Sequence, residues 1–239
     1  MKLNNPYSIS IIIPVYNEAS NIIRLLKYLH ENSVTQTVKE IIVVDGGSTD
    51  QTVTIAQNEG ATVLKSDKGR AKQMNLGALH ASGDILYFLH ADTFPPKGYD
   101  KFILIAINKG FNAGCFRMKF DTSKKFLQFF AWFSRINHKL CRGGDQSLFV
   151  QKKLFQKIQG YSEEYIIYED TEFIGRLYQN TTFTVLPQYV ITSARKYEQF
   201  GMVRLLYHFG MIHLQNLLGF GPKKLNNYYK KHIVNLSST

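Results

Sequence analysis

The chain has 239 residues, with 29 Lys and Arg against 18 Asp and Glu, a formal net charge of +11 and 44% hydrophobic residues. This composition excludes a globally disordered chain and leaves room for one large domain or two small ones with a packed core. The only two cysteines, Cys115 and Cys141, are too few for a disulfide scaffold and match no zinc spacing, and the charge calls for a polyanionic partner: nucleic acid, an anionic membrane or a phosphorylated ligand.

Ile9–Val15 is a short continuous apolar run, the pattern of a strand buried on both faces. Ile22, Ile23, Leu25, Leu26 and Leu29 then recur at helical spacing. Residues 40–44 predict a second buried strand ending in Asp45-Gly46-Gly47. Ser48, Thr49 and Asp50 offer caps for a helix reaching Glu59, with Gly60 as its stop. A strand over 62–64, a helix over 70–81 and a strand over 85–89 follow. This alternation predicts a three-layer α/β/α sandwich with a mainly parallel sheet and right-handed crossovers.

The second half is less regular. Strands are expected over 113–120 and 147–150, and helices over 124–140, 152–159, 168–179 and 200–218. Short extended pieces flank Pro187, at 183–186 and 189–191. The basic, polar stretch from Pro222 onward is expected to fray. No repeat or low-complexity linker divides the chain, so residues 1–220 read as one domain and 221–239 as a basic tail.

Ligands of open α/β sheets bind beyond the carboxyl ends of the strands. Polar residues gather at three such ends: Tyr16, Asn17 and Glu18; Asp45, Gly46 and Gly47; His90, Ala91 and Asp92. Turn chemistry explains any one cluster, but three on one edge favour a site. If the strand continues through His90 and Asp92, their side chains share a face and can converge on one metal ion, a donor pair that suits Mn2+ at least as well as Mg2+; otherwise they are a His and an Asp solvated in a loop. On a helix, Asp170 falls in line with Phe173, Ile174 and Leu177, the apolar stripe, where a carboxylate is costly unless paired or functional. Asp170 is therefore the candidate general base. Glu169 is placed at the helix start as a cap, and Glu172 is expected to form an exposed pair with Arg176 four residues on. Arg70 and Lys72 open a helix, a position suited to phosphate, or simply to a solvated basic turn. Asp145 lies in a Gly-rich loop and is open to a turn role or to binding an acceptor hydroxyl.

Taken together, Pro14-Val-Tyr-Asn-Glu18, Val44-Asp-Gly-Gly-Ser-Thr-Asp50, His90-Ala-Asp92 and Glu169-Asp170 occur in the order seen in the family 2 glycosyltransferases, which the chain resembles from about residue 8 to residue 200. The strings GRAKQMNLGA at 69–78, GGDQ at 143–146 and TSAR at 192–195 look like one bacterial subgroup of that family. The resemblance implies a GT-A fold and an inverting transfer from a nucleotide-diphosphate sugar. Residues 8–110 would form the donor half and 111–220 the acceptor half. Tyr16 would stack on the base, Asp45 would contact base or ribose, and Asp92 would be the metal carboxylate of the family's Asp-X-Asp element, for Mn2+ or Mg2+. Pro14, Glu18, Gly46, Arg70, Gln73, Asn75 and Ala91 would complete the donor site. Asp145, Gln146 and Arg195 would face the acceptor. Asp170 would deprotonate the acceptor hydroxyl, with Glu169 in support. The sequence departs from the pattern at His90, where the family has its first Asp.

Two other functions compete. A sugar-phosphate nucleotidyltransferase carries a Gly-rich basic loop after the first strand, where this chain has Tyr-Asn-Glu-Ala. A basic nucleic-acid-binding module has the charge but no recognition motif here, so nucleic acid is not an expected partner. The N-terminal segment lacks the pattern of a secretory leader, and no run reaches the roughly 18 apolar residues of a spanning helix. The expected location is the cytoplasm, with any membrane contact peripheral, on the inner face. The aromatic segment 126–133 and the helix 202–218 read either as core or as cover for a lipid-linked acceptor. The basic residues Lys124, Lys125, Arg135, Lys223, Lys224, Lys230 and Lys231 could face anionic lipid.

Overall fold

A computed structural model describes residues 7–233. In chain order the elements are β1 (Ile9–Val15), α1 (Ala19–Asn32), β2 (Val38–Asp45), α2 (Thr52–Asn58), β3 (Thr62–Lys65), α3 (Arg70–His80), β4 (Ile85–Phe88), β5 (Thr93–Phe94) and α4 (Tyr99–Asn108). They continue with β6 (Ala113–Phe120), α5 (Lys125–Trp132), β7 (Leu148–Gln151), α6 (Lys152–Lys157), α7 (Glu169–Asn180), β8 (Phe183–Thr192), α8 (Arg195–Phe200), α9 (Met202–Leu217) and α10 (Pro222–His232). The strands form one sheet in the order β3-β2-β1-β4-β7-β6-β8-β5.

The first four strands in that order are parallel, as the sequence predicts. Their side chains alternate between two cores. Ile9, Ile11 and Ile13 pack with α1 and α4, whereas Ile12, Ile42 and Val44 pack with α3, α6 and α7. These are the two helical layers of the sandwich. At Gly77, α3 comes so close to the sheet that a Cβ there would stand 2.5 Å from Ile12 Cγ2.

Beyond β4 the sheet is mixed rather than mainly parallel. β7 runs antiparallel to both β4 and β6, and β5 runs antiparallel to β8. β8 is one continuous strand, not two pieces. It pairs with β6 through a register shift that skips Pro187 and Gln188, because proline has no N–H for the ladder. The expected helix over 124–140 ends at Trp132 and gives way to short 3₁₀ turns. The expected last helix forms as α9, and a short unpredicted helix, α8, precedes it, set apart by Gly201, whose φ of 82° breaks the α geometry. Residues 222–232 do not fray. They form α10, which buries Leu225 with Leu205 and Ile212 of α9 in a third small core. The remainder of the tail, from 234, lies outside the described residues.

Candidate functional site

The loops that leave β1 and β2 are laced to each other. Asn17 N donates to Ser48 Oγ at 2.8 Å, and Thr49 N donates to Asn17 Oδ1 at 2.8 Å. Glu18 N donates to Thr52 Oγ1 at 2.9 Å, and Ala19 N to Asp50 Oδ2 at 3.2 Å. The polar residues of both motifs thus build a rigid rim. Asp45 is buried, and its carboxylate accepts from Gly47 N and Ser48 N at 3.1 Å, the turn role considered for it. Tyr16 stands at the rim with an exposed ring, and Lys68 Nζ lies 3.5 Å from its centroid. Pro14 is half-buried in β1, and Ala91 is buried behind the rim.

His90, Ala91 and Asp92 do not lie on a strand. β4 ends at Phe88, and Thr93 N donates to His90 O at 3.1 Å, closing a tight turn. The turn, not strand alternation, presents His90 and Asp92. His90 Nδ1 is 3.7 Å from Asp145 Oδ1, and His90 Nε2 is 3.9 Å from Asp170 Oδ2. Burial pushes the ring's pKa down, but pairing with Asp145 and the charge of Asp170 outweigh it, and the net direction is up. Asp145 stays below its ordinary value. Burial opposes its charge, and His90, Arg70 and Lys196 more than offset that.

The acidic pair opens α7. Tyr168, the residue before it, has a φ of 74° and is held through Tyr168 Oη to His213 Nδ1 at 3.1 Å. Left-handed backbone is rare for a non-glycine residue, and it also occurs at Asn17 and Ser147, both next to candidate residues. Phe173, Ile174 and Leu177 are buried along the expected stripe, but Glu169, not Asp170, is the deeper carboxylate. Glu169 Oε1 sits 3.4 Å from Arg70 Nη1. Burial, then the neighbouring charge of Asp170, push Glu169 up to about 7 despite that pairing. Burial also raises Asp170, and His90 and Arg70 hold the rise back. Arg70 remains half-exposed, so its guanidinium has free donors facing the cleft.

Several expected ligand contacts prove to be braces. Gln73 Nε2 donates to Val15 O and to Val44 O, both at 2.8 Å, tying the ends of β1 and β2 together; a Cβ on Gly46 would crowd that amide at 3.1 Å. Asn75 spends its amide on Tyr161 O at 2.9 Å, Glu163 Oε1 at 3.0 Å and Tyr161 N at 2.9 Å. Gln146 is buried, and its side chain bonds Arg142 and, at 2.7 Å, Cys141 O. Side chains so committed have little capacity left for a donor or an acceptor. Arg195 Nη2 pairs with Glu18 Oε1 at 3.2 Å, joining α8 to the rim. Arg176 pairs with Glu172 but also donates to Ile158 O and Gly160 O, so the expected exposed ion pair is instead a partly buried anchor.

Tyr161 is a residue that sequence reasoning misses. It is buried, its hydroxyl has no hydrogen-bond partner among the described residues, and Asp170 and Glu169 lie near enough to raise its pKa further after burial has done so. Nothing in the local spacing marks it; the bonds from Asn75, 86 residues away, bring it beside α7.

Asp92 fits a metal carboxylate. Burial raises its pKa, the charge of His90 holds that rise back, and Asp145 and Glu18 add like-charge repulsion; a divalent cation would offset both the burial and the repulsion. His90 fits less well, because both ring nitrogens face carboxylates and a metal needs a neutral imidazole. Among the described residues no group of three or more His, Cys, Asp and Glu could hold an ion, so a metal bound at Asp92 would take other ligands from the donor diphosphate.

The sequence model of the family described as "Glycosyl transferase family 2" matches residues 10–154. The uncharacterized glycosyltransferase Rv1514c of Mycobacterium tuberculosis is 30% identical over 186 residues, 71% of this chain and 68% of that protein. Of two other curated relatives, the chain spans 31% and 64% of the length. Among solved structures, the mannosyltransferase PcManGT of Pyrobaculum calidifontis, in complex with GDP-Man and Mn2+, superposes with a TM-score of 0.70 at 17% identity, covering 94% of this chain and 70% of that one. Staphylococcus aureus TarS 1–349 in complex with UDP gives 0.66 at 23% identity, covering 78% and 60%. The architecture is thus GT-A.

Proposed function

The chain belongs to glycosyl transferase family 2, and we propose that it is a glycosyltransferase that moves a sugar from a nucleotide-sugar donor, with inversion, to an acceptor hydroxyl, with Mn2+ or Mg2+ held by Asp92. The observation that carries this reading is the convergence of Asp170, His90, Asp145 and the Arg70–Glu169 pair at the carboxyl edge of the parallel strands.

Asp170 takes the proton of the acceptor hydroxyl as its oxygen attacks the anomeric carbon. The bond from that carbon to the diphosphate oxygen breaks on the opposite face, and the nucleoside diphosphate leaves. A carboxylate raised by burial is a stronger base than one in water, and His90 and Arg70 hold that rise back. Arg70 offers its free guanidinium edge to phosphate oxygens. Tyr16 offers its ring to the base, with Lys68 displaced or shared. Asp145 faces the acceptor, while Glu18 and Arg195 act together as a rim brace rather than as two separate ligands. Asp92 would hold a divalent ion, which when bound would supply positive charge to the leaving diphosphate.

A thermal-shift screen of UDP-, GDP- and dTDP-sugars with and without Mn2+ or Mg2+ identifies the donor. NMR of the product of donor turnover then gives the anomeric configuration. Retention of configuration, or equal donor binding with and without a divalent ion, refutes the corresponding part of the reading.

A further inference from the structure

α5 has one face fixed to the protein and the other unpartnered. Leu127 and Ala131 are buried against the sheet. Gln128 Nε2 donates to Phe120 O at 2.9 Å and Thr122 O at 2.7 Å, pinning the helix in place. On the outer side, Phe126, Phe129, Phe130, Trp132 and Phe133 are each 37–57% exposed. They lean on one another edge to face, with centroids 5.0 Å apart for Phe126–Phe130, 5.3 Å for Phe129–Phe133 and 5.6 Å for Trp132–Phe133. The result is a continuous aromatic surface of roughly 400–500 Å², as large as the biggest apolar patch on a typical monomer.

The charge around this surface selects its occupant. Residues 122–142 contain five cations, Lys124, Lys125, Arg135, Lys139 and Arg142, and no Asp or Glu. Arg142 is buried and Lys124 pairs with Glu198 at 3.1 Å, which leaves exposed beside the rings Lys125 on α5 and Arg135, whose guanidinium lies 6.0 Å from the Trp132 centroid. A second copy of a chain with a net charge of +11 would set like charges against one another. No helix of the described residues is long and apolar enough to cross a membrane. Aromatic rings flanked by Lys and Arg match the chemistry of a bilayer's interfacial region with anionic headgroups.

We infer that α5 seats the protein on an anionic lipid surface, its rings in the interface and Lys125 and Arg135 on headgroup phosphates. The Lys124–Glu198 pair ties the start of α5 to α8, whose Arg195 braces the rim through Glu18, so the lipid-facing helix is coupled to the candidate site. The lipid contact itself does not depend on the proposed transfer reaction.

Trp132 is the chain's single tryptophan and reports directly on this face. The full chain is mixed with phosphatidylcholine vesicles, pure or with about 30% phosphatidylglycerol, at about 50 mM salt. The anionic vesicles are expected to shift Trp132 emission to the blue and to carry the chain up in flotation, and pure phosphatidylcholine to do neither. The pair Phe129→Ser and Phe133→Ser should weaken partitioning at least about tenfold. The surface pair Lys125→Glu and Arg135→Glu leaves the rings intact and should weaken it similarly. Donor turnover without vesicles should be unchanged in both. Absence of a blue shift with anionic vesicles, flotation of both variants like wild type, or a wild-type dimer that Phe129→Ser and Phe133→Ser convert to monomer in light scattering would each overturn the inference.

Discussion

The two halves of the sheet solve different problems. From β1 to β4 the chain alternates strand and helix, β1, β4 and the second half of β2 are buried on both faces, and the loops at the carboxyl edge are bonded to each other. From β6 onward, antiparallel and parallel pairs mix, and aromatic side chains of α5 reach the surface. The first half is a rigid frame that offers one rim. The second half sends Asp145, Asp170 and Arg195 to that rim from three separate connections. Donor affinity should therefore reside mainly in the first half, and chemistry and acceptor choice in the second.

The sharpest way to break that division is Asp170→Asn. It should lower transfer by about a thousandfold while donor binding, followed by calorimetry, stays within a factor of two or so. An equal loss of donor affinity would erase the distinction between halves. Asp92→Ala is the reciprocal test, with donor affinity in Mn2+ falling by one to two orders of magnitude, roughly the scale of a lost metal contact, and little change in the absence of metal.

A subtler prediction concerns the contact between halves, Arg70 with Glu169. The folded chain holds Glu169 at about 7, above the 4.5 of a free glutamate, so it binds that proton more tightly than the unfolded chain does. The associated stability is complete below pH 4.5 and is lost as pH rises through about 7. The difference in unfolding free energy between wild type and Glu169→Gln should change across that window by no more than about 3 kcal/mol; a flat difference in denaturant titrations would contradict the assignment. The smallest effect is expected for Asn75→Ala. It should lower Tm by about 3–6 °C through lost bonds to Tyr161 and Glu163 with donor affinity unaltered. Weaker donor binding at unchanged Tm would restore Asn75 as a ligand.

What the sequence discloses follows the same boundary. Runs such as Ile9–Val15 carry their environment in their own composition, so the first four strands and the rim they end on are legible. β5 is not, because two residues become a strand only through pairing with β8. α4 also goes unseen. Its apolar run from Phe102 to Ile107 has little periodicity, and it hides Asp100, whose carboxylate accepts from Ser33, Val34 and Thr35 across 65 to 67 residues. The motif residues divide likewise. Asp170 and Asp92 reach the cleft, while Gln73, Asn75 and Gln146 occupy the same strings as braces, a difference set by partners that no local spacing encodes.

The near-contact of Gly77 with Ile12 has a reach of its own. Seven residues and about 10 Å of helix axis separate it from Arg70, and α3 is stiff over that distance. A side chain at 77 would act as a wedge beneath one end of a beam and swing the other end, with its guanidinium, away from the cleft. The aim of the Arg70 guanidinium therefore depends on a position inside the α3–sheet contact, and mutational scans confined to the rim would pass over it.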